Sequence, residues 1–98
     1  MIEKPPPRIK YGSCELCGRE KNLSFHHLIP RTTHSNKWFK KNFSRIDMEN
    51  RGVNLCRDCH YYIHKTFGAK ELGRDFNTLE SLAGHSEIKK FVSWIKQR

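Results

Sequence analysis

The sequence predicts a small α+β domain: two short strands and a helix clamped by a four-cysteine zinc site, followed by extra C-terminal helices. Three observations predict it. Two Cys-x-x-Cys pairs, Cys14/Cys17 and Cys56/Cys59, stand on either side of a 38-residue insertion. A short apolar–polar alternation lies in the insertion and another leads into the second pair, and a segment with helical spacing follows it. A chain of 98 residues with 36% hydrophobic content has a thin interior, so a staple beyond apolar burial is expected.

The elements follow in chain order. Residues 1–12, which contain Pro5, Pro6 and Pro7, read as an extended, unpacked arm, because proline removes backbone donors and fixes φ. Residues 13–98 then form a single domain, with a core at 14–67 and a helical extension at 68–98. Cys14 to Gly18 reads as a tight thiolate-presenting turn in which Gly18 supplies positive φ. Leu23-Ser24-Phe25-His26 alternates as a half-buried strand does, and Pro30 ends it. Residues 31–51 are polar and basic without clear periodicity, which predicts a long loop with a helical turn around Lys37 to Phe43. Loops of that length are usually functional. Val53-Asn54-Leu55 makes a second strand that pairs with the first. A helix fits Arg57 to Phe67, with Gly68 as its stop. Asn77-Thr78 caps a short helix ending at Gly84, and Ser86 caps another whose Ile88, Phe91, Val92 and Ile95 form an apolar stripe.

Charge narrows the function classes. The chain carries 19 Lys+Arg against 10 Asp+Glu, a net charge of +9. Residues 1–45 hold ten basic and three acidic side chains, for +7, so the positive field is front-loaded. Its densest part includes Arg31, Lys37, Lys40, Lys41 and Arg45, interleaved with Trp38, Phe39 and Phe43. Basic side chains among aromatics suit a polyanion with stackable bases, although a solvated basic loop is the plainer reading. No apolar run approaches membrane-spanning length. The start has no secretory pattern, so a reducing cytoplasm is the expected location.

In that compartment paired thiols are better read as metal ligands than as disulfides. Cys14, Cys17, Cys56 and Cys59 together supply the four thiolates of a closed tetrahedral zinc site. Haem attachment through Cys56-x-x-Cys59-His60 would leave the other pair idle. A finger using Cys14, Cys17, His60 and His64 has the wrong spacing and strands two cysteines.

Six histidines remain, four of them in two pairs: His26-His27 beside the first strand, and His60 with His64 one helical turn apart. With sulfur committed to zinc, these imidazoles are free to build a second site where helix and strand converge. Phosphodiester hydrolysis needs a nucleophile made from water and stabilisation of charge on the phosphate and leaving oxygen. A neutral imidazole suits proton abstraction from water, and a divalent ion held by other histidines suits the charge.

The run Cys-x-x-Cys, His26-His27-Leu28-Ile29-Pro30-Arg31, then Asn-Leu-Cys-x-x-Cys-His-x-x-x-His resembles the HNH endonucleases of the ββα-metal fold. The likeness covers residues 14–64. It implies that the four cysteines hold structural zinc and that a single catalytic divalent cation sits between hairpin and helix. It further implies that His26 and His60 are ligands of that cation, His64 a further ligand, and His27 the general base. The place of the family's middle Asn, which orients the base, is taken here by Arg51; Asn50 is the nearer candidate and Asn54 the alternative. Strict alternation would put His26 and His27 on opposite strand faces, so a shared site asks for an irregular strand. Arg31 follows the pair and is placed to meet a phosphate.

The expected function is therefore a metal-dependent endonuclease acting on DNA, with RNA left open as substrate. Mg²⁺, Mn²⁺, Ni²⁺, Co²⁺ and Zn²⁺ all stand as the catalytic ion, nitrogen ligands favouring the transition ions over Mg²⁺. The competing expectation is a zinc-stapled nucleic-acid-binding module without catalysis. A protein-binding zinc domain would leave the basic front half unexplained. No groove-reading element stands outside the metal motif, so weak sequence preference or targeting by a partner protein is expected.

Overall fold

The computed structural model describes residues 8–98. The proline-containing part of the expected arm, residues 1–7, lies outside the described residues. Its end is tied down: the Ile9 amide donates to Asn54 Oδ1 at 3.1 Å, and Leu23 N donates to the Lys10 carbonyl at 2.7 Å.

The sheet has three antiparallel strands, β1 (Tyr11–Ser13), β2 (Glu20–His27) and β3 (Gly52–Cys56), in the order β1-β2-β3. Tyr11 and Gly12, read from sequence as the end of the arm, belong to β1 and pair with Asn22 and Lys21. The β1–β2 connection is the first cysteine knuckle, where Gly18 takes φ 78°. The β2–β3 ladder runs without interruption from Leu23 opposite Cys56 to His27 opposite Gly52. Phe25 and the backbone of His26 press so closely on Gly52 that a Cβ there would collide with both.

The insertion is more ordered than a loop. A 3-10 turn (Arg31–Thr33) leads to α1 (Lys37–Asn42) and α2 (Arg45–Asn50). Asn36 Oδ1 accepts from the Trp38 amide at 2.9 Å, and Ser44 Oγ accepts from the Asp47 amide at 3.0 Å, so each helix has a side-chain N-cap. Phe39 and Met48 turn inward and join Ile29 in a small core of their own.

Beyond β3, α3 (Arg57–Thr66) starts at once, with Cys56 as its N-cap. Gly68, expected as the stop of α3, is instead the N-cap of α4 (Ala69–Asp75), a helix the sequence reading left out, and α3 is closed by Phe67. Then come α5 (Leu79–Gly84), capped by Thr78 in a capping box with Ser81, and α6 (Ser86–Ile95). The α6 cap is the His85 ring, which accepts from the Glu87 amide, and Ser86 is the first helical residue. The expected stripe packs as such: Ile88 and Ile95 are buried, and Phe91 stacks on Tyr62 of α3 at 4.1 Å. The main core joins these to Leu55, Ile63 and Leu72 and to the four cysteines. The whole is a small α+β architecture built around a cysteine cluster. Among the described residues no helix is long and apolar enough to cross a membrane.

Candidate metal centres and their surroundings

Two groups of metal-ligand side chains form in separate places, one of sulfur and one of nitrogen. Cys14 and Cys17 come from the knuckle after β1, Cys56 from the end of β3 and Cys59 from the first turn of α3. Their sulfurs all lie within 4.8 Å of one another, all four residues are buried and none is in a disulfide. Amides feed the cluster: Cys17 N approaches Cys14 Sγ and Cys59 N approaches Cys56 Sγ, each at 3.5 Å. Hydrogen bonding from the Cys59 thiol pulls Cys14 down to about 4, so the cluster already favours thiolate character at that sulfur. Cys59, which gives that hydrogen bond, is pushed up, and burial raises Cys56. Arg19 lies against this charge, Nε at 3.5 Å from Cys17 Sγ and a terminal nitrogen at 3.5 Å from Cys56 Sγ. The same guanidinium meets Asp58 at 3.0 Å, and the Cys17 sulfur and Asp58 carboxylate hold it more firmly protonated. Four converging sulfurs fit a structural metal such as zinc.

The second group is His26, His60 and His64, whose ligand nitrogens also lie within 4.8 Å of one another. The i, i+4 spacing puts His60 and His64 on one side of α3, with rings 4.9 Å apart. His26 reaches them from β2, at 5.1 Å from His60 and 5.2 Å from His64. His26 is fully buried and neither of its ring nitrogens has a hydrogen-bond partner. A buried imidazole without partners is costly, and a metal ion is a partner that this setting fits. Burial, then the neighbouring His60, His64 and His27, drops the His26 pKa to about 3. Burial also lowers His60 and His64, with His64 and His27 adding to the effect at His60. All three rings are therefore neutral at pH 7, the form that binds metal.

The remaining site candidates fall around this centre. His27 is not one of the trio: on an uninterrupted strand it shares a face with Phe25, 5.1 Å away, while Ser24 and His26 face α3. It is nevertheless close enough that its protonated form would disfavour protonation of His26 and His60. Its own pKa is lowered by burial and by Arg8, His34 and Arg31. Asn50 ends α2, two residues before Gly52, the register partner of His27. Asn54 is buried, and its side chain accepts from the Ile9 amide. The Asn54 backbone N–H donates to the Glu15 carboxylate. The Asn54 side chain serves the fold of the arm's end.

Lys37, Lys40 and Lys41 share one exposed side of α1, and Arg31 is exposed at the turn before it. Arg45 is exposed but paired with Glu49 at 3.0 Å, an acid just past the stretch that looked free of them. Of the three aromatics there, Phe39 is fully buried and Phe43 half-buried, so only Trp38 offers an accessible ring, and Arg74 lies 4.7 Å over it.

Four residues of this surround escaped the sequence reading. Arg19 stands two residues past Cys17, and its guanidinium is a natural partner for thiolates. Ser24 has Oγ 2.6 Å from His60 Nδ1, a contact visible in sequence only as the strand position that shares a face with His26. His34 has Nε2 2.7 Å from the Ile29 carbonyl and its ring 6.2 Å from His27. Arg74 belongs to the helix that went unrecognised. Comparison with protein-family models, with curated proteins and with solved structures finds no match for this chain.

Proposed function

We propose that the chain is a metal-dependent endonuclease that hydrolyses DNA phosphodiester bonds, on the HNH, ββα-metal plan its motifs resemble. The observation that carries this is the trio itself: three neutral imidazoles converging beside an independent sulfur cluster, one of them buried with both nitrogens unpartnered. Unlike the fully buried sulfur cluster, the trio is open to solvent at His64, as an ion that meets a substrate requires. Zinc at the four cysteines is the staple. His26, His60 and His64 would hold the second ion, and an all-nitrogen set suits Ni²⁺, Co²⁺, Zn²⁺ or Mn²⁺ better than Mg²⁺. A divalent ion bound there would supply neutralisation of charge on the scissile phosphate and the leaving oxygen.

The protein's own residues supply the rest. His27 is kept neutral by burial and by the cations around it, so it is free to take a proton from the attacking water. As the water oxygen bonds to phosphorus, the bond to the leaving sugar oxygen breaks. Asn50, beside the partner strand of His27, steadies that ring. Arg31 and the α1 lysines hold flanking phosphates and carry little sequence information.

A second reading, a zinc-stapled nucleic-acid-binding module without catalysis, has one observation in its favour: His26 and His27 leave opposite faces of a regular strand. Supercoiled plasmid cleavage with a series of divalent ions separates the two. The nuclease reading expects nicking by the wild-type chain, a loss of at least about 100-fold in His27→Ala, in line with a general base, and unchanged zinc content. Equal cleavage by both chains removes His27 from the reaction. DNA binding without cleavage under any ion supports the second reading.

A further inference from the structure

We infer that Ser24 is a positioning residue for the second metal site: it fixes the tautomer of His60 so that Nε2, rather than Nδ1, carries the lone pair offered to the ion. The inference rests on the metal reading of the trio and goes a step past it, to the side chain that orients a ligand.

The geometry is a two-step relay. His60 Nδ1 lies 2.6 Å from Ser24 Oγ, and Ser24 Oγ lies 3.5 Å from the carbonyl oxygen of Leu55. A carbonyl only accepts, so in the inferred relay the hydroxyl hydrogen is given to Leu55 across the long contact and the short contact is left to the ring nitrogen. The hydroxyl oxygen then accepts from Nδ1–H. A neutral imidazole protonated at Nδ1 has its lone pair on Nε2. The relay is anchored in the sheet: Ser24 pairs with Leu55 across β2 and β3, and Ser24 is two residues from His26, so one strand face presents a ligand and the orienter of another. Metal-bound histidines commonly give their second ring N–H to such a partner, which fixes ring orientation and raises basicity. Among the trio, the contact that would do this is found at His60. His26 is enclosed without a polar partner.

The test uses the full chain with its cysteine zinc in place and ¹⁵N-labelled histidine. Long-range ¹H–¹⁵N correlation at pH 8, before any second ion is added, reads the tautomer directly. The wild type and Ser24→Thr should show His60 protonated at Nδ1, and Ser24→Ala should lose that bias. Titration with Ni²⁺ followed by calorimetry should then give an affinity about 10–100-fold weaker in Ser24→Ala, restored in Ser24→Thr, with the cysteine zinc content equal in all three. A wild-type His60 protonated at Nε2, or a Ser24→Ala chain that takes up Ni²⁺ as tightly as wild type, overturns the role of Ser24 and leaves the metal site standing. A wild-type chain that shows the fixed tautomer yet binds no second ion overturns the metal reading itself, and the role of Ser24 with it.

Discussion

At the scale of single residues, His26 ties stability to pH. Its pKa falls from 6.5 to about 3 on folding, chiefly through burial, so the unfolded chain binds a proton that the folded chain refuses between those values. Stability from this group is therefore complete above about pH 6.5 and declines as the solution is acidified toward pH 3. The melting temperature of the chain stripped of any ion at the trio should fall between pH 7 and pH 5. His26→Phe, with nothing to protonate at that position, should show a shallower fall. An equal slope in both chains would place the acid sensitivity elsewhere. The ligand types of this site were legible in sequence, because spacing alone pairs His60 with His64 and Cys56 with Cys59. What spacing could not show is which neighbours attend them. Arg19, Ser24 and His34 act through strand register and chain reversal, and those relations depend on distances between segments that no local pattern encodes. The same limit explains Asn54: its side chain faces the arm's end because that arm returns to the sheet.

At the scale of elements, β2, β3, α3 and the last two helices were legible because each carries its own signal: alternation, an i, i+4 pair, a cap or an apolar stripe; β1 was not, since Tyr11-Gly12-Ser13 is too short to alternate visibly. Brevity hid α2 and let α1 be foreseen only as a helical turn around Lys37 to Phe43. Each buries a single residue, Phe39 and Met48, so neither produces a periodic pattern, although the caps Asn36 and Ser44 stand in the sequence. The fourth helix was hidden by Gly68, which reads as a stop but is the N-cap of α4, α3 having closed one residue earlier at Phe67, and by Gly73, which looks unfavourable inside a helix. The structure gives Gly73 a reason: a Cβ there would run into the ring of Phe39, so the missing side chain lets α4 settle on α1. Helix propensity would favour alanine by about 1 kcal/mol, but displacing a fully buried ring in a small core costs about 1–3 kcal/mol, and the second effect wins. Gly73→Ala should lower the urea midpoint. Gly84→Ala, at the end of α5 with open space around it, should leave the midpoint unchanged or raise it slightly. If both substitutions stabilise, the close packing of α4 on Phe39 is not a constraint on the fold.

At the scale of the whole molecule, the two metal groups are joined by one element, and that sets the order in which the protein comes apart. Cys56 caps α3, Cys59 lies in its first turn, and His60 and His64 follow on the same helix. The sulfur cluster is fully buried inside the main core and ties the β1–β2 knuckle to the β3–α3 junction across 38 intervening residues. The trio has an exposed member in His64 and contributes no such cross-link of distant segments beyond β2 to α3. Removing zinc should therefore release the pairing of knuckle and helix start and leave four buried sulfurs with no shared ion, two of them, Cys17 and Cys56, facing Arg19. Removing an ion from the trio should leave a folded protein with neutral imidazoles. A chelator titration followed by circular dichroism and metal analysis should accordingly show two stages. In the first, Ni²⁺ or Mn²⁺ leaves with the helical signal intact and plasmid cleavage lost; in the second, zinc leaves and helix content collapses, because in small zinc-stapled domains metal binding supplies much of the folding free energy. Arg19→Ala should bring the second stage forward to lower chelator without moving the first, since its guanidinium faces Cys17 and Cys56 and not the histidines. Loss of helix in the first stage, or zinc leaving before the other ion, would mean that the histidines and not the cysteines hold this fold together.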